Sequence, residues 1–185
     1  MLTFNFTPCP TLSTERLTLR PLTSADAPAL FAMRADPEVM QYIPRPLATT
    51  VADAAALIEA MNEGMSRNEL LNWGIARHTS DEIIGTIGFY RVQPENHRAE
   101  IGYLLHPSQQ GQGLMQEAVA AALEYGFEVL QLHSVEGVID PRNEASARVL
   151  LRAGFVQEGL FRQNGFWNGQ FQDTAYYSLR CPASR

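Results

Sequence analysis

Hydrophobic and polar residues alternate in several short stretches of the chain, and a period of two predicts β-strands. A first strand is predicted over residues 14–22, where Leu17 and Leu19 alternate with polar residues. Three further strands are predicted by the same pattern, starting from Leu71, over residues 83–92 and over residues 99–105. Only short loops separate these three, so we predict an antiparallel meander.

Apolar residues recur three to four positions apart in four other stretches, which predicts amphipathic helices. In chain order they begin near Ser24, Thr50, Met115 and Glu144. We expect the first to stop near Asp36, which precedes a proline. Thr50 with Asp53 resembles a capping box at the start of the second, and Gly154 is placed to end the last.

The last part of the chain predicts one more strand and a long hairpin. The strand covers residues 135–139, and the hairpin arms cover residues 155–167 and 170–179. Asn168-Gly169 between the arms is a strong signal for a type I′ turn. We therefore predict an α+β fold over residues 1–185, a single domain with a mixed, mostly antiparallel twisted sheet of about seven strands and about four helices.

Composition and charge exclude several classes of protein. The 185 residues are 45% apolar and 18% charged, which is ordinary for a globular protein and excludes disordered, collagenous and disulfide-rich chains. The net charge of −6 argues against a nucleic-acid partner. Cys9, Cys181 and the four scattered histidines have no metal-ligand spacing. Without a signal peptide or an apolar run long enough to span a membrane, we expect a cytoplasmic protein with no membrane partner.

The most informative stretch runs from residue 109 to residue 115, where Gly111 and Gly113 lie between a predicted strand and a predicted helix. Glycines separated by one residue let the backbone turn sharply and approach a ligand closely. The helix that follows begins with unpaired N–H groups and the positive end of its dipole. These features predict a site for a phosphate or pyrophosphate.

The two glycines also allow a simpler interpretation, in which they only shape a tight connection. Two familiar phosphate motifs are excluded. The dinucleotide fingerprint needs a glycine where this chain has Gln116, and it needs a parallel βαβ setting. The P-loop needs a Gly-Lys pair, and the sequence contains none.

At this loop the sequence resembles the GNAT acetyltransferase superfamily, most of all its RimJ/RimL-like branch of ribosomal-protein alanine N-acetyltransferases. The loop is similar to the Q/R-x-x-G-x-G/A acetyl-CoA motif, with Met115 where that pattern has Gly or Ala. Three other stretches resemble the branch in the same order, namely residues 14–20, residues 99–103, and residues 143–146 with Gly154-Phe155. The resemblance spans about residues 14–179, nearly the whole chain.

The resemblance implies acetyl-CoA as cosubstrate, held where two strands separate. It implies that backbone groups of Leu104 and Leu105 form hydrogen bonds with the acetyl-pantetheine arm. A backbone N–H there could polarise the thioester carbonyl. It also implies that Asn143 forms a hydrogen bond with the same arm. Asn143 is equally well explained as a helix N-cap. The resemblance implies that six consecutive residues bind the pyrophosphate, namely Gln110, Gly111, Gln112, Gly113, Leu114 and Met115.

The resemblance also implies a proton donor for the leaving thiolate. Many family members use a tyrosine as this donor. The corresponding residue of this chain is Leu150, and leucine has no proton to donate. Ser146 lies one helical turn earlier on the same face, so its hydroxyl is the candidate. The alternative is that Ser146 only assists the start of its helix.

The general base is less well defined by the residues. The glutamate of the RimL-like branch falls at Gly165, so that role does not carry over. Glu100, on the strand that leads into the site, is the candidate, and Asp173 is the next. Glu100 could equally pair with Arg98 or Arg91 in a surface ladder.

The sequence thus predicts an N-acetyltransferase that moves the acetyl group of acetyl-CoA to a primary amine by direct attack, without a metal. The first acceptor to expect is a protein or peptide α-amine, including that of a ribosomal protein. A small amine such as a polyamine, an amino acid or an amine antibiotic is the alternative, and so is a longer acyl group. A rival from another class is a non-catalytic acyl-CoA-binding module. We expect a monomer or a homodimer.

Overall fold

An eight-stranded mixed sheet forms the centre of the computed structural model, which describes residues 2–182. The strands are β1 (Leu12–Ser13), β2 (Leu17–Arg20), β3 (Leu71–Arg77), β4 (Ile83–Gln93), β5 (Arg98–Leu105), β6 (Ser134–Ile139), β7 (Val156–Trp167) and β8 (Gln170–Arg180). Their order in the sheet is β1-β2-β3-β4-β5-β6-β8-β7. All neighbouring strands run antiparallel except β5 and β6, which confirms the predicted mixed, mostly antiparallel sheet.

Helices cover both faces of this sheet. They are α1 (Ala27–Arg34), α2 (Pro37–Met40), α3 (Val51–Ser66), α4 (Leu114–Glu124) and α5 (Glu144–Arg152), with a π-helical turn after α4 (Tyr125–Val129). Because side chains alternate across a strand, Trp73 and Ile75 point into the core that α4 and α5 share. Ile83 and Leu104 belong to a second core under α1 and α3. Within residues 2–182 no helix has both the length and the apolar run of a membrane span.

Local signals in the sequence confirm several element ends. The hydroxyl of Thr50 accepts a hydrogen bond from the N–H of Asp53 at 3.2 Å, and the Asp53 carboxylate accepts from the N–H of Thr50 at 2.9 Å, which is the predicted capping box. Gly154 follows α5 with φ of 92°. Asn168 and Gly169 both have positive φ, 48° and 78°, as a type I′ turn requires.

The prediction of one strand over residues 14–22 is wrong in its bounds, because a turn separates β1 from β2. The N–H of Thr14 donates to the carbonyl of Leu17 at 2.9 Å, so the chain folds back on itself there. The carboxylate of Glu117 on α4 fixes this turn by accepting from the hydroxyl of Thr14 at 2.5 Å and from the N–H of Arg16 at 2.7 Å. A partner 103 positions away cannot be found in a local pattern.

The described residues also contain one helix more than the sequence predicted. The first predicted helix ends at Arg34, and the single turn α2 begins at Pro37, directly after the expected stop. The carboxylate of Asp36 caps this turn by accepting from the N–H of Glu38 at 2.8 Å. Proline suits the first position of a helix because its missing N–H would have no partner there.

The feature that positions the functional site is a gap between β5 and β6. These parallel strands pair only from Arg98 to Glu100, opposite Ser134 to Glu136. Beyond that point β5 stays paired with β4 as far as Leu105, while β6 stays paired with β8. Over the second half of each strand, the facing edges of β5 and β6 are therefore not paired with each other by backbone hydrogen bonds.

Candidate active site

The gap between β5 and β6 opens into a cavity of about 1080 Å³. Tyr103 and Leu104 line it from β5, Val138 from β6 and Ser146 from α5. The segment 42–49, between α2 and α3, and the β7–β8 hairpin form the opposite wall. The cavity is thus built where the sheet is interrupted.

Backbone groups at the free edge of β5 point into this gap. The N–H of His106 donates to the carbonyl of Ile84 at 2.8 Å, on the side of β4. Backbone groups of successive residues point to opposite sides of a strand, so those of Leu105 and Tyr103 face the gap and those of Leu104 face β4. The geometry therefore favours Leu105 over Leu104 as a backbone partner for a ligand, while Leu104 contributes its side chain to the wall.

The glycine loop lies between the end of β5 and the start of α4. Gly111 and Gly113 have φ of 73° and 75°, in the left-handed region that favours glycine. Gly113 is the N-cap of α4 and has no side chain to cap it, so the first N–H groups of this helix remain open to an anion. The amide of Gln110 turns back and donates to the carbonyl of Leu105 at 3.3 Å.

Two arginines from other parts of the chain hold the loop in shape. Arg77 on β3 donates to the Oε1 of Gln109 at 2.9 Å and to the Oε1 of Gln112 at 2.6 Å. Arg16, in the turn before β2, donates to the carbonyl of Gln112 at 2.9 Å. The loop glutamines thus organise the loop with their side chains, which leaves backbone N–H groups for a ligand. Neither contact could be predicted from a local pattern, because the partners lie 96 and 35 positions apart in the chain.

Ser146 forms a buried pair with Tyr103 at the α5 side of the gap. The two hydroxyl oxygens are 2.9 Å apart, and Ser146 is only 8% exposed. Burial raises the pKa of Tyr103 to about 12, although the bond to Ser146 works against this rise. Tyr103 therefore keeps its proton at neutral pH and can donate it in a hydrogen bond to Ser146. Sequence reasoning did not assign a role to Tyr103.

Asn143 is the N-cap of α5. Its Oδ1 accepts from the N–H of Ser146 at 3.0 Å, which confirms the capping interpretation. Asn143 also borders the cavity, so its amide remains close to any ligand in the gap. Because the cap engages the backbone of Ser146, the hydroxyl of Ser146 is left to Tyr103 and to the cavity.

Glu100 lines the cavity and is paired with Arg91. The Oε2 of Glu100 lies 2.8 Å from Nη1 of Arg91, which confirms the expected cross-strand pair. Arg91 stands at φ of 46° beside an irregularity in the β4–β5 register. Burial raises the pKa of Glu100, the charge of Arg91 opposes the rise, and the nearby charge of Glu136 adds to it.

The two other positions considered for a base also border the cavity. Asp173 on β8 accepts from the N–H of Gln163 at 2.9 Å, and Arg162 lies 3.5 Å from it. Gly165 lies on the same wall, where an added Cβ would be 3.8 Å from its nearest neighbour, the carbonyl oxygen of Gln172. This position thus faces the site and has room for a side chain, but it carries none.

The cavity connects the two faces of the sheet. Tyr103 packs against the core on the α4 and α5 face, together with the residues around Ser146. Glu100 shares the other face with Leu104, and it lies directly opposite Tyr90 of β4. A ligand on the loop and a ligand near Glu100 would therefore approach the gap from opposite sides.

Residues 16–156 match the family model described as acetyltransferase (GNAT) domain. The chain belongs to this family and is an N-acetyltransferase, as the resemblance implied. Members of the family use acetyl-CoA. The open start of α4, the free edge of β5 and the cavity at the gap between β5 and β6 fit such a cosubstrate. Within residues 2–182 no group of His, Cys, Asp and Glu side chains could hold a metal ion.

Curated relatives include enzymes with different acceptors. An uncharacterised N-acetyltransferase of Bacillus subtilis, YoaA, is 37% identical over 94% of this chain and 98% of its own length. The ribosomal-protein-serine acetyltransferase of Escherichia coli is 38% identical over 53% of this chain and 55% of its own length. The spermidine N(1)-acetyltransferase of the same organism is 32% identical over 50% of each chain.

Solved structures of acetyltransferases share the fold. A GNAT-family acetyltransferase of Bacillus anthracis superimposes with a TM-score of 0.83 at 28% identity, covering 92% of this chain and 98% of the other. RimL, a ribosomal-protein acetyltransferase in complex with coenzyme A, superimposes with a TM-score of 0.86 at 24% identity, covering 94% and 99%. The eight-stranded sheet with its interruption is therefore the GNAT fold that the resemblance implied.

Proposed function

We propose that this enzyme transfers the acetyl group of acetyl-CoA to a primary amine, first of all the N-terminal α-amine of a protein or peptide. The observation that carries the proposal is the gap between β5 and β6, which leads from the open start of α4 to the Ser146–Tyr103 pair. Such a gap can hold an extended thioester between two strand edges and present its carbonyl carbon to an amine from the other face.

Three elements of the chain would hold acetyl-CoA. The first N–H groups of α4, after Gly113, would bind the pyrophosphate. The backbone of Leu105 would bond the acetyl-pantetheine arm along the free edge of β5, and its N–H would polarise the thioester carbonyl. The amide of Asn143 would bond the same arm from α5.

The thioester supplies an activated acetyl carbon, and attack by a neutral amine expels a thiolate. Ser146 would donate a hydrogen bond to the sulfur as its negative charge develops, while Tyr103 donates to Ser146. A thiol has a pKa of about 8.5, far below the pKa of about 12 of Tyr103. The hydroxyl pair therefore stabilises the thiolate through hydrogen bonds, and the proton that completes the thiol comes from solvent.

Glu100 would take a proton from the incoming ammonium group, directly or through one water molecule. Its position supports this role, because it borders the cavity on the face opposite the Ser146–Tyr103 pair. Burial raises its pKa, so the carboxylate is a better base than an exposed glutamate. The amine then attacks in its neutral form. The adduct loses one further proton to water as the C–S bond breaks and the amide forms, and Glu100 returns its proton to solvent.

A second cavity next to the first supports a peptide as acceptor. This cavity measures about 590 Å³ and lies between the segment 41–47 and the hairpin residues Trp167 and Gln170. Ile43 and Arg45 line both cavities. A chain longer than a small amine could continue from the first cavity into the second, so peptide N-termini are the first acceptors to test.

Binding and turnover can be tested in one pair of experiments. We expect acetyl-CoA and free CoA to raise the melting temperature of the protein and NAD to leave it unchanged. A ligand at a hundredfold excess over its Kd stabilises the native state by about 2.7 kcal/mol. Thiol release is then followed with N-terminal peptides, amino acids and polyamines. Stabilisation without thiol release from any amine would favour a binding module, and no stabilisation would contradict the cosubstrate site.

Removal of Arg91 is expected to change the pH dependence of the reaction. Arg91 lowers the pKa of Glu100, so Arg91→Met raises that pKa further. If the deprotonated carboxylate is the base, the rate increases with pH through its pKa. We therefore expect the acid limb of the kcat/KM profile to move to higher pH in Arg91→Met.

Two further variants test whether the change in pH dependence arises from Glu100. Glu100→Gln keeps the shape of the side chain, and we expect it to lower kcat/KM at neutral pH by about 10²-fold and to leave an acid limb set only by the ionisation of the acceptor amine. Arg180→Met is the control, because Arg180 pairs with Glu158 on the hairpin and not with Glu100. An acid limb that stays in place in Arg91→Met would rule out Glu100 as the titrating base.

A further inference from the structure

Arg34 brings a positive charge into the wall of the large cavity without an acidic partner. It is the last residue of α1, and its Nε atom is buried with no hydrogen-bond partner. Its Nη1 atom contacts the sulfur of Met40 at 3.7 Å, which does not compensate a charge. Among residues 2–182 no carboxylate lies within ion-pair distance of it. Arg34 is half-buried, and a cation that is partly withdrawn from water without a partner is unfavourable. This group therefore indicates a ligand that brings the missing charge.

The acidic side chains around the cavity are already engaged, whereas two arginines are not. Three of them form ion pairs, namely Glu100 with Arg91 at 2.8 Å, Asp140 with Arg142 at 2.6 Å and Asp173 with Arg162 at 3.5 Å. The fourth, Asp53, accepts hydrogen bonds from the N–H groups of Thr49 and Thr50 at 2.8 and 2.9 Å. Arg34 and Arg45 are the cavity-lining cations that no described carboxylate pairs with. The uncompensated charge in the cavity is thus positive.

The two arginines line the same cavity. The positive charge of Arg45 lowers the pKa of Arg34, in addition to the larger effect of burial, and the hydroxyl of Tyr90 opposes both. Tyr90 in turn lies opposite Glu100 in the β4–β5 register. Both arginines thus share the large cavity with Glu100, the proposed base.

Arg34 and the loop proposed to bind the phosphates of CoA belong to opposite faces of the sheet. α1 packs on the core that contains Leu30, Met33 and Ile58. The glycine loop leads into α4, which packs on the core of the other face through Leu114 and Val119. Arg34 therefore belongs to the acceptor side of the gap.

We propose that Arg34, assisted by Arg45, binds a carboxylate of the acceptor, so that the preferred acceptor carries a carboxylate in addition to its amine. This inference rests on the proposed acetyl transfer and narrows its substrate class. Arginine suits the role because its planar fork binds a carboxylate through two parallel hydrogen bonds. The carboxylate comes either from an acidic side chain near a peptide N-terminus or from a free amino acid. A polyamine would bring further cations towards two unpaired guanidinium groups, which disfavours it.

The test compares acceptors that differ only in charge. Thiol release is measured with C-terminally amidated four-residue peptides that begin with Ala and carry one Glu, Gln or Lys at position 2, 3 or 4, and with free glutamate, glutamine amide and spermidine. We expect kcat/KM for the best Glu peptide or for glutamate to exceed that of the matched Gln compound by about 10- to 100-fold. Higher turnover of peptides assigns the carboxylate to a peptide side chain, and higher turnover of glutamate assigns it to a small molecule.

Arg34→Met separates recognition from a structural effect. Methionine keeps an unbranched stem and removes only an unpaired charge, so we expect the melting temperature to be maintained. The preference for Glu over Gln should fall to about one, through a loss of kcat/KM for the Glu peptide. Arg45→Met should lower the preference less, because Arg45 is exposed, and Arg180→Met should not change it.

Three results would overturn the inference. These are equal rates for Glu and Gln acceptors in the unmodified enzyme, an unchanged preference in Arg34→Met, or spermidine as the best acceptor. All three leave acetyl transfer itself intact. Thiol release from none of the amines is a different result, because it contradicts the proposed function from which the inference starts.

Discussion

Replacing Ser146 by alanine is expected to lower kcat by about 10- to 100-fold, because the developing thiolate loses a hydrogen bond to a charged group. The Kd of acetyl-CoA should change less than threefold, since the sulfur carries no charge in the ground state. The helix should persist, because Asn143 caps the N–H of residue 146 and not its hydroxyl. Steady-state kinetics with a saturating acceptor and a cosubstrate titration measure the two quantities separately.

The partner hydroxyl provides the control for this prediction. Tyr103→Phe keeps the ring and removes only the group that lies 2.9 Å from Ser146. If the two hydroxyls act in series on the sulfur, the double variant loses little more activity than Ser146→Ala alone. Ser66→Ala removes a hydroxyl that donates to the carbonyl of Glu63 at the end of α3 and should have no effect on kcat. A full rate in Ser146→Ala would reduce Ser146 to a residue of the helix start.

Replacing Gly113 by valine is expected to weaken acetyl-CoA binding by about 10²- to 10⁴-fold, which corresponds to the loss of two hydrogen bonds to a charged phosphate. Gly113 has φ of 75°, a conformation that a β-branched residue rarely adopts. A change of this φ would redirect the first N–H groups of α4, and the added side chain would stand where the pyrophosphate approaches. Calorimetric titration with acetyl-CoA measures the effect directly.

The hairpin offers a control with the same backbone strain. Gly169 has φ of 78° and no neighbour within 4 Å of an added Cβ, and it lies in the turn between β7 and β8. Gly169→Val should therefore destabilise the fold by a comparable amount, about 1–2 kcal/mol, without changing the affinity for acetyl-CoA. Unchanged affinity in Gly113→Val would show that the glycine only shapes a connection.

The sequence predicted most of the fold because its signals are local. The capping box at Thr50, the glycine after α5 and the Asn168-Gly169 turn each depend on residues within a few positions of one another. The first strand was misjudged because its interruption depends on Glu117, whose contacts with Thr14 and Arg16 are invisible in a local pattern. Local physics therefore places the elements, and distant contacts set some of their ends.

The candidate site was predicted less completely, for the same reason. The glycine loop and Ser146 are candidates from the sequence because motif and resemblance point to them. Tyr103 was not, since its pairing with Ser146 joins two elements 43 positions apart. Arg34 gave no signal at all, because an arginine at the end of a helix is ordinary until its surroundings are known. Partners of this kind follow from packing and from burial, which only the structure describes.

The interruption of the sheet between β5 and β6 also has a kinetic consequence. Cosubstrate and acceptor would reach the gap through separate entrances on opposite faces, so neither must leave before the other arrives. For the proposed reaction, both are present when the bond to the acetyl group forms, and no residue of the chain has to carry that group in between. Reciprocal plots at several fixed acceptor concentrations would then intersect, as they do for a sequential mechanism.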